Sequence, residues 1–345
     1  MNIVVDVTHP GHVHFFKYAI EEWKKHGHNV TIAARDKDIT LSLLDDYGYQ
    51  YFCLSRVKRG MVGFVKELLE HESKLFSLAR KVKADVLLNI GGTFIVHTGK
   101  LLDIPTIVFT DTEHAKLSNG ITFPFATKIC TPDCFEGDLG RKQLRYAGYH
   151  ELAYLHPKYF TPNPKVLEAV GMEPHERFFV VRFVSWGAAH DIGQKGFTSS
   201  GKRELIRRLA ELGRVIITSE APLLLEFEPY RMNISPTKIH DLLYYSTLFI
   251  GEGATMASEA AIMGTPAIYV NPLSAGTLQE QEQKYGLLFN ITDERRATEQ
   301  AINLAYNPNV HNEYQKKREI LLADKIDVTA WMVNLVENYL ERATK

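Results

Sequence analysis

Short β-branched runs alternate with longer segments whose apolar residues recur at helical spacing. In the first half these runs are residues 3–7, 29–33, 85–90, 106–110 and 128–131. From His12 onward Phe15, Phe16, Ala19, Ile20 and Trp23 share one helical face, Lys17, Glu21, Glu22, Lys24 and Lys25 fill the other, and Gly27 ends the helix. Such alternation predicts α/β structure, a parallel sheet with crossover helices.

The pattern lapses around residues 155–174, where Pro157, Pro162, Pro164 and Pro174 break both periodicities. A second series follows at 178–184, 214–218, 247–251, 266–270 and 287–290, and helices are expected at 294–306, 309–323 and 328–343. We therefore expect a first domain over 1–155, a linker over 156–175, a second domain over 176–327 and a terminal helix over 328–345. In open α/β sheets ligands bind outside the carboxyl ends of the strands, so the loops there carry the search for a site.

With a net charge of −1 and only short basic clusters, nothing in the chain has the electrostatic footprint of a nucleic-acid binder. Cys53, Cys130 and Cys134 are too scattered for a disulfide framework or a CxxC site and read as reduced thiols. The opening "MNIVVDV" reads as a strand rather than a leader, and no window approaches the ~18 uninterrupted apolar residues of a membrane span. The expected location is the cytoplasm.

"THPGHVHFF" puts His9, His12 and His14 on a strand-to-helix turn. His12 falls at the helix start, where the dipole disfavours imidazolium and leaves a neutral ring able to accept a proton. His14 is read as lining the acceptor side and His9 as structural. The three lack the HxxxH pairing that would chelate a metal, so no metal is expected there. In "NIGGT" and "VFTDTEHA", Gly92 and then Asp111, Glu113 and His114 stand at strand ends, where paired carboxylates can do acid–base work or simply cap turns.

The stretch "TLFIGEGATMASEAAIMGTPAIYVNP" is the most informative. A buried strand ends in Gly251-Glu252-Gly253, and a helix starts near Ala254 and Thr255, where free amides and the helix dipole make an anion site. Glu259 lies one turn further on and can accept hydrogen bonds from ribose hydroxyls. This stretch resembles the nucleotide-diphosphate site of GT-B glycosyltransferases. It is similar to that of the bacterial N-acetylglucosaminyltransferase that makes lipid II and of UDP-N-acetylglucosamine 2-epimerases. The opening "GHVHFFKYAIEEWKKHGHNVTIAA" resembles the Gly-His entry of the same transferases, with His12 on their histidine. Together with "VVRFVSWGAAHDIGQKG", the chain resembles, over essentially its whole length, a prokaryotic GT-B-like family catalogued as a domain of unknown function.

The resemblance implies a GT-B fold: two Rossmann-like domains facing each other across a cleft, with the C-terminal helix crossing back to the first. It implies a metal-independent hexosyltransferase that takes a UDP-sugar as substrate, needs no cofactor, and acts on a glycan or polyprenyl-linked acceptor in surface polysaccharide or glycoconjugate synthesis. Arg182 and Ser185 would contact diphosphate or sugar, as would Lys195, which reads equally as an ordinary loop residue; Ile239 would line the base. Gln279, Glu280 and Gln281 would recognise the sugar, or else form a solvated helix start. His12 or a first-domain carboxylate, Asp111 or Glu113, would deprotonate the acceptor; His190 and Asp191 form a further, weaker acid–base pair. Two alternatives stand: an epimerase-like enzyme, and a nucleotide-sugar binding protein without catalysis. The 2-epimerases carry an aspartate where this chain has Gly92 and keep a glutamate matched by Glu113, which weakens the first alternative. Residues 55–82 mix Arg56, Lys58 and Arg59 with Met61, Val62, Phe64 and Val65, and read either as a packed helix or as a surface docking on the inner face of the membrane.

Overall fold

A computed structural model describes every residue except His114, Pro174, His175, 185–195, 220–222, Met232, Asn233, Ser274, Thr344 and Lys345. The chain divides into two compact units, Met1–Tyr159 with Ile326–Lys345, and Phe160–Lys325.

The first unit runs β1 (Asn2–Val7), α1 (Pro10–Lys25), β2 (Asn29–Asp36), α2 (Thr40–Asp46), β3 (Tyr51–Arg56), α3 (Gly60–Val82), β4 (Val86–Ile90), α4 (Val96–Leu102), β5 (Thr106–Phe109), α5 (Lys116–Thr122), β6 (Lys128–Pro132), β7 (Gln143–Tyr146) and α6 (Leu152–Leu155). Its sheet is wholly parallel in the order β3-β2-β1-β4-β5-β6-β7. The chain leaves β1 in one direction for β2 and returns on the other side for β4, so the topological switch lies at the ends of β1 and β4. Val4, Leu87, Val108 and Ile129 on one sheet face pack with Leu75, Leu78 and Ala79 of α3, all nearly fully buried.

The second unit contains α7 (Lys165–Ala169), β8 (Phe178–Phe183), α8 (Ser199–Ala210), β9 (Arg214–Ser219), α9 (Ile239–Tyr245), β10 (Leu248–Gly251), α10 (Ala254–Ile262), β11 (Ala267–Tyr269), α11 (Gly276–Gln283), β12 (Leu288–Asn290), α12 (Glu294–Tyr306) and α13 (Val310–Asp324). Its parallel sheet is ordered β12-β11-β10-β8-β9, which puts the switch at β8 and β10. The last helix, α14 (Val328–Ala343), belongs to the first unit, where it packs on α1 and α6.

Two strands escape the sequence pattern. β3 and β7 are the edge strands of the first sheet, each buried on part of its length only, and neither "YFCLSR" nor "QLRY" contains a β-branched residue. The stretch expected as a linker also contains α7, whose Val166 and Leu167 are buried; Pro164 caps that helix instead of breaking it.

Candidate functional site

In the second unit, Gly251 of β10 pairs with Arg182 of β8 in register, so Arg182 ends up beside the start of α10. A methyl group placed on Gly253 would sit 3.6 Å from Arg182 Cδ and Nε. The helix has Gly253 as its N-cap, no side chain among the described residues caps it, and Ala254 and Thr255 are exposed. A guanidinium against uncapped amide donors puts two positive features together, an arrangement that suits an anion such as diphosphate.

Glu259 is buried one turn into α10, and its Oε1 lies 3.0 Å from Nε2 of the equally buried His240 on α9. Ile239, next to His240, is half-buried. Glu252, at the strand end, has only 2% of its surface exposed, and its carboxylate accepts from the amides of Val184 (2.9 Å) and Phe197 (2.7 Å). One side chain thereby ties together the two flanks of residues 185–195.

The three residues expected to read the sugar are not equivalent. Gln281 is fully buried and donates from Nε2 to Ser258 Oγ at 2.7 Å, which rules out a solvated face at this position. Glu280 is paired at 2.8 Å with Lys325, whose side chain is itself buried. Gln279 keeps partial exposure. Ser185, Lys195, His190, Asp191 and His114 lie outside the described residues.

In the first unit His9 caps α1, its Nδ1 accepting from the Gly11 amide at 3.2 Å, and Pro10 occupies the first turn. His12 is half-buried, with Nδ1 3.3 Å from both the Thr8 amide and Thr8 Oγ1. Burial first, then the neighbouring charges of His9, His150, Lys37 and Arg35, hold its pKa well below the usual imidazole value. Burial therefore favours a neutral ring, in the same direction as the helix start but as the leading cause.

His14 does not line an open acceptor face. It is buried, its ring 5.4 Å from Tyr154 in a stack and its Nδ1 3.3 Å from the Tyr47 hydroxyl. Residues two apart on a helix point to different sides, so His14 cannot share the His12 face. Glu113 Oε1 accepts from the Glu136 amide at 3.2 Å and borders a cavity of ≈570 Å³ lined also by Phe123, Phe135 and Lys142. Gly92 has φ +73°, and a methyl group there would meet Val108 and Thr122 carbons at 2.6 Å. Any side chain at that position collides, an aspartate included.

Two groupings escaped the sequence reading. Asp111 Oδ2 lies 3.3 Å from Nδ1 of His150, a histidine just past β7 that nothing in the local pattern singles out. Beneath the switch, Asp6 and His71, both fully buried, approach to 3.0 Å. His71 continues to Ser55 Oγ at 2.8 Å, Ser55 donates to Glu67, and Arg35 grips Glu67 through Nε and Nη2 at 2.5 and 3.1 Å. Burial pulls the Glu67 carboxyl up, but the hydrogen bonds from Arg35 and the Lys58 amide outweigh it and hold its pKa below the usual value. On the other side Asn89 donates to the Asp6 carbonyl at 2.6 Å and accepts from the Gly92 amide at 2.8 Å. Polar residues inside central strands, Asp6 in "VVDV" and Asn89 in "LLNI", were the available signal.

The chain is similar to several known proteins. "Uncharacterized protein MJ0665" of Methanocaldococcus jannaschii is 25% identical over 285 residues, 79% of this chain and 82% of that one. The S. aureus MnaA structure with UDP superposes with a TM-score of 0.71 at 11% identity, covering 100% of this chain and 98% of that one. The calicheamicin glycosyltransferase CalG4 gives 0.60 at 15% identity over 100% and 99% of the two chains. UDP-N-acetylglucosamine 2-epimerases are also among the similar solved structures. These likenesses establish the fold, that of GT-B proteins built from two Rossmann-like domains. The family described as "Protein of unknown function (DUF354)" matches residues 1–341, and the chain belongs to it.

Proposed function

We propose that this protein is a glycosyltransferase that moves a sugar from a UDP-linked donor to a glycan or polyprenyl-linked acceptor without a metal ion. The observation that carries this reading is Arg182 set against the uncapped start of α10. Departing diphosphate develops negative charge, and preorganised donors at that place stabilise it as the bond breaks. Glu259, oriented by His240, would accept from the ribose hydroxyls, with Ile239 beside the base and Gln279 toward the sugar. Side chains at the strand ends of the first unit would take the acceptor's proton.

The epimerase alternative is disfavoured by the crowding at Gly92, where the aspartate of that chemistry has no room. For the acceptor we favour a lipid-linked glycan at the inner membrane face. Met61, Val62 and Leu69 on the first half of α3 are 69%, 71% and 63% exposed next to Arg59 and Lys66, and an apolar surface with basic neighbours is what peripheral docking requires. No helix among the described residues is long and apolar enough to cross a membrane. Incubation with UDP-sugars in EDTA tests the reading: UDP release should persist, and strict dependence on a divalent cation would contradict it.

A further inference from the structure

Glu252 follows β10 directly and is almost wholly buried, yet no cation among the described residues pairs with it. A buried carboxylate is costly unless its oxygens are occupied, and here backbone amides occupy them: Val184 donates to Oε2 at 2.9 Å and Phe197 to Oε1 at 2.7 Å. The Glu252 amide in turn donates to the Arg182 carbonyl at 3.1 Å. Past β11, Nδ2 of Asn271 donates to the Glu252 carbonyl at 3.2 Å while its Oδ1 accepts from the Leu273 amide at 2.9 Å. Side chain and backbone of one residue thus join the carboxyl ends of β8, β10 and β11 with the approach to α8.

The chain held in this way is the one that carries Arg182. Side chains alternate along an extended strand, so Arg182 faces away from Phe183, which is buried. Arg182 and Val184 both flank the start of α10: a methyl group on Gly253 would sit 3.6 Å from Arg182 Cδ and Nε and 3.7 Å from Val184 Cγ1. Gly251 closes in from the other side, where a methyl group would meet the Arg182 carbonyl oxygen at 2.7 Å and Cβ at 3.0 Å. We propose that Glu252 is a positioning residue for diphosphate, fixing Arg182 beside the start of α10 by holding the Val184 and Phe197 amides. This rests on the reading of that place as the diphosphate site.

A guanidinium whose place is set beforehand pays less ordering entropy when the anion arrives, and its hydrogen bonds to phosphate oxygens keep more of their strength. The charge of Glu252 acts in the opposite sense, because a carboxylate near diphosphate repels it. The two effects therefore have opposite signs. Loss of the charge alone strengthens UDP binding, whereas loss of the held geometry weakens it.

The test is isothermal titration of the full chain with UDP and with uridine, below the unfolding midpoint of each variant. Glu252→Gln keeps the size but offers one carbonyl oxygen where two oxygens accepted, so one amide loses its partner. It should weaken UDP by about tenfold and uridine by no more than about twofold, and Arg182→Ala should do the same or more. In the double variant UDP should bind no more than about threefold more weakly than with Arg182→Ala alone, because both act through one contact. Glu252→Asp, which keeps the charge and draws the oxygens back by one methylene, should also weaken UDP selectively and serves if Glu252→Gln fails to fold. Unchanged or tighter UDP binding in these variants would overturn the assignment, as would equal weakening of UDP and uridine, the mark of a merely structural role. A failure of the diphosphate reading looks different: the unaltered chain would bind UDP no more tightly than uridine, and Arg182→Ala would change neither. If the inference alone fails, Arg182→Ala still weakens UDP.

Discussion

His240 Nε2 lies 3.0 Å from Glu259 Oε1, so a ring carried by α9 fixes the carboxylate buried one turn into α10. A carboxylate so held is a preorganised acceptor for a ribose diol. UDP should therefore bind more tightly than its 2′-deoxy analogue. Glu259→Gln should weaken UDP binding by about tenfold, in line with the loss of a hydrogen bond to a charged group. His240→Ala should cost less but in the same direction. Isothermal titration of the three proteins checks the order.

Asp6 and His71 form a fully buried pair with Ser55, Glu67 and Arg35 connected behind them. Removing one member leaves the other polar group buried without its partner, which typically costs about 3 kcal/mol or more. His71→Ala and Asp6→Ala should each lower stability by about that amount, measured by urea unfolding, and the double variant should cost much less than their sum.

The depressed pKa values of His12 and His150 set a pH dependence. Both rings are neutral in the folded state at pH values where the unfolded chain, with imidazoles near the usual ~6.5, already binds protons. Stability is therefore full above about pH 6.5 and falls as the pH drops from there toward the folded-state values. In His12→Gln the fall between pH 7 and pH 5 should be shallower, and thermal unfolding across that range measures it.

At Gly92 both the backbone, with φ +73°, and the surrounding Val108 and Thr122 exclude a side chain. Gly92→Asp should reduce stability by about 2 kcal/mol or more and create no epimerase activity, as read by unfolding and by sugar analysis.

If α3 docks on a bilayer, the full chain should sediment with vesicles containing anionic lipid. Replacing Met61, Val62 and Leu69 by serine should abolish this with little change in stability, since all three are exposed. Equal sedimentation of the two proteins would leave α3 an ordinary solvated helix.

Much of the fold was legible because buried parallel strands write themselves as β-branched runs: β8, β10 and the helices α12 and α14 appear in the sequence almost where they fall in space. The strands β3 and β7 were not legible, because "YFCLSR" and "QLRY" carry no β-branched residue and exposed or half-exposed positions interrupt their burial. The same division runs through the site. Gly253, Thr255 and Glu259 sit in one continuous motif, whereas the partners of Glu259 and Asp111, His240 and His150, come from 19 and 39 residues away along the chain. The neutrality of His12 could be reasoned from its place on a helix; its tautomer could not, since that depends on where the Thr8 amide points.

The central claim is glycosyl transfer from a UDP-sugar, and it is tested most directly with UDP-N-acetylglucosamine in deuterated water containing EDTA. Free UDP should accumulate while the sugar's C2 stays protonated. Deuterium entering C2, or UDP release that vanishes with EDTA and returns with a divalent metal, would contradict it.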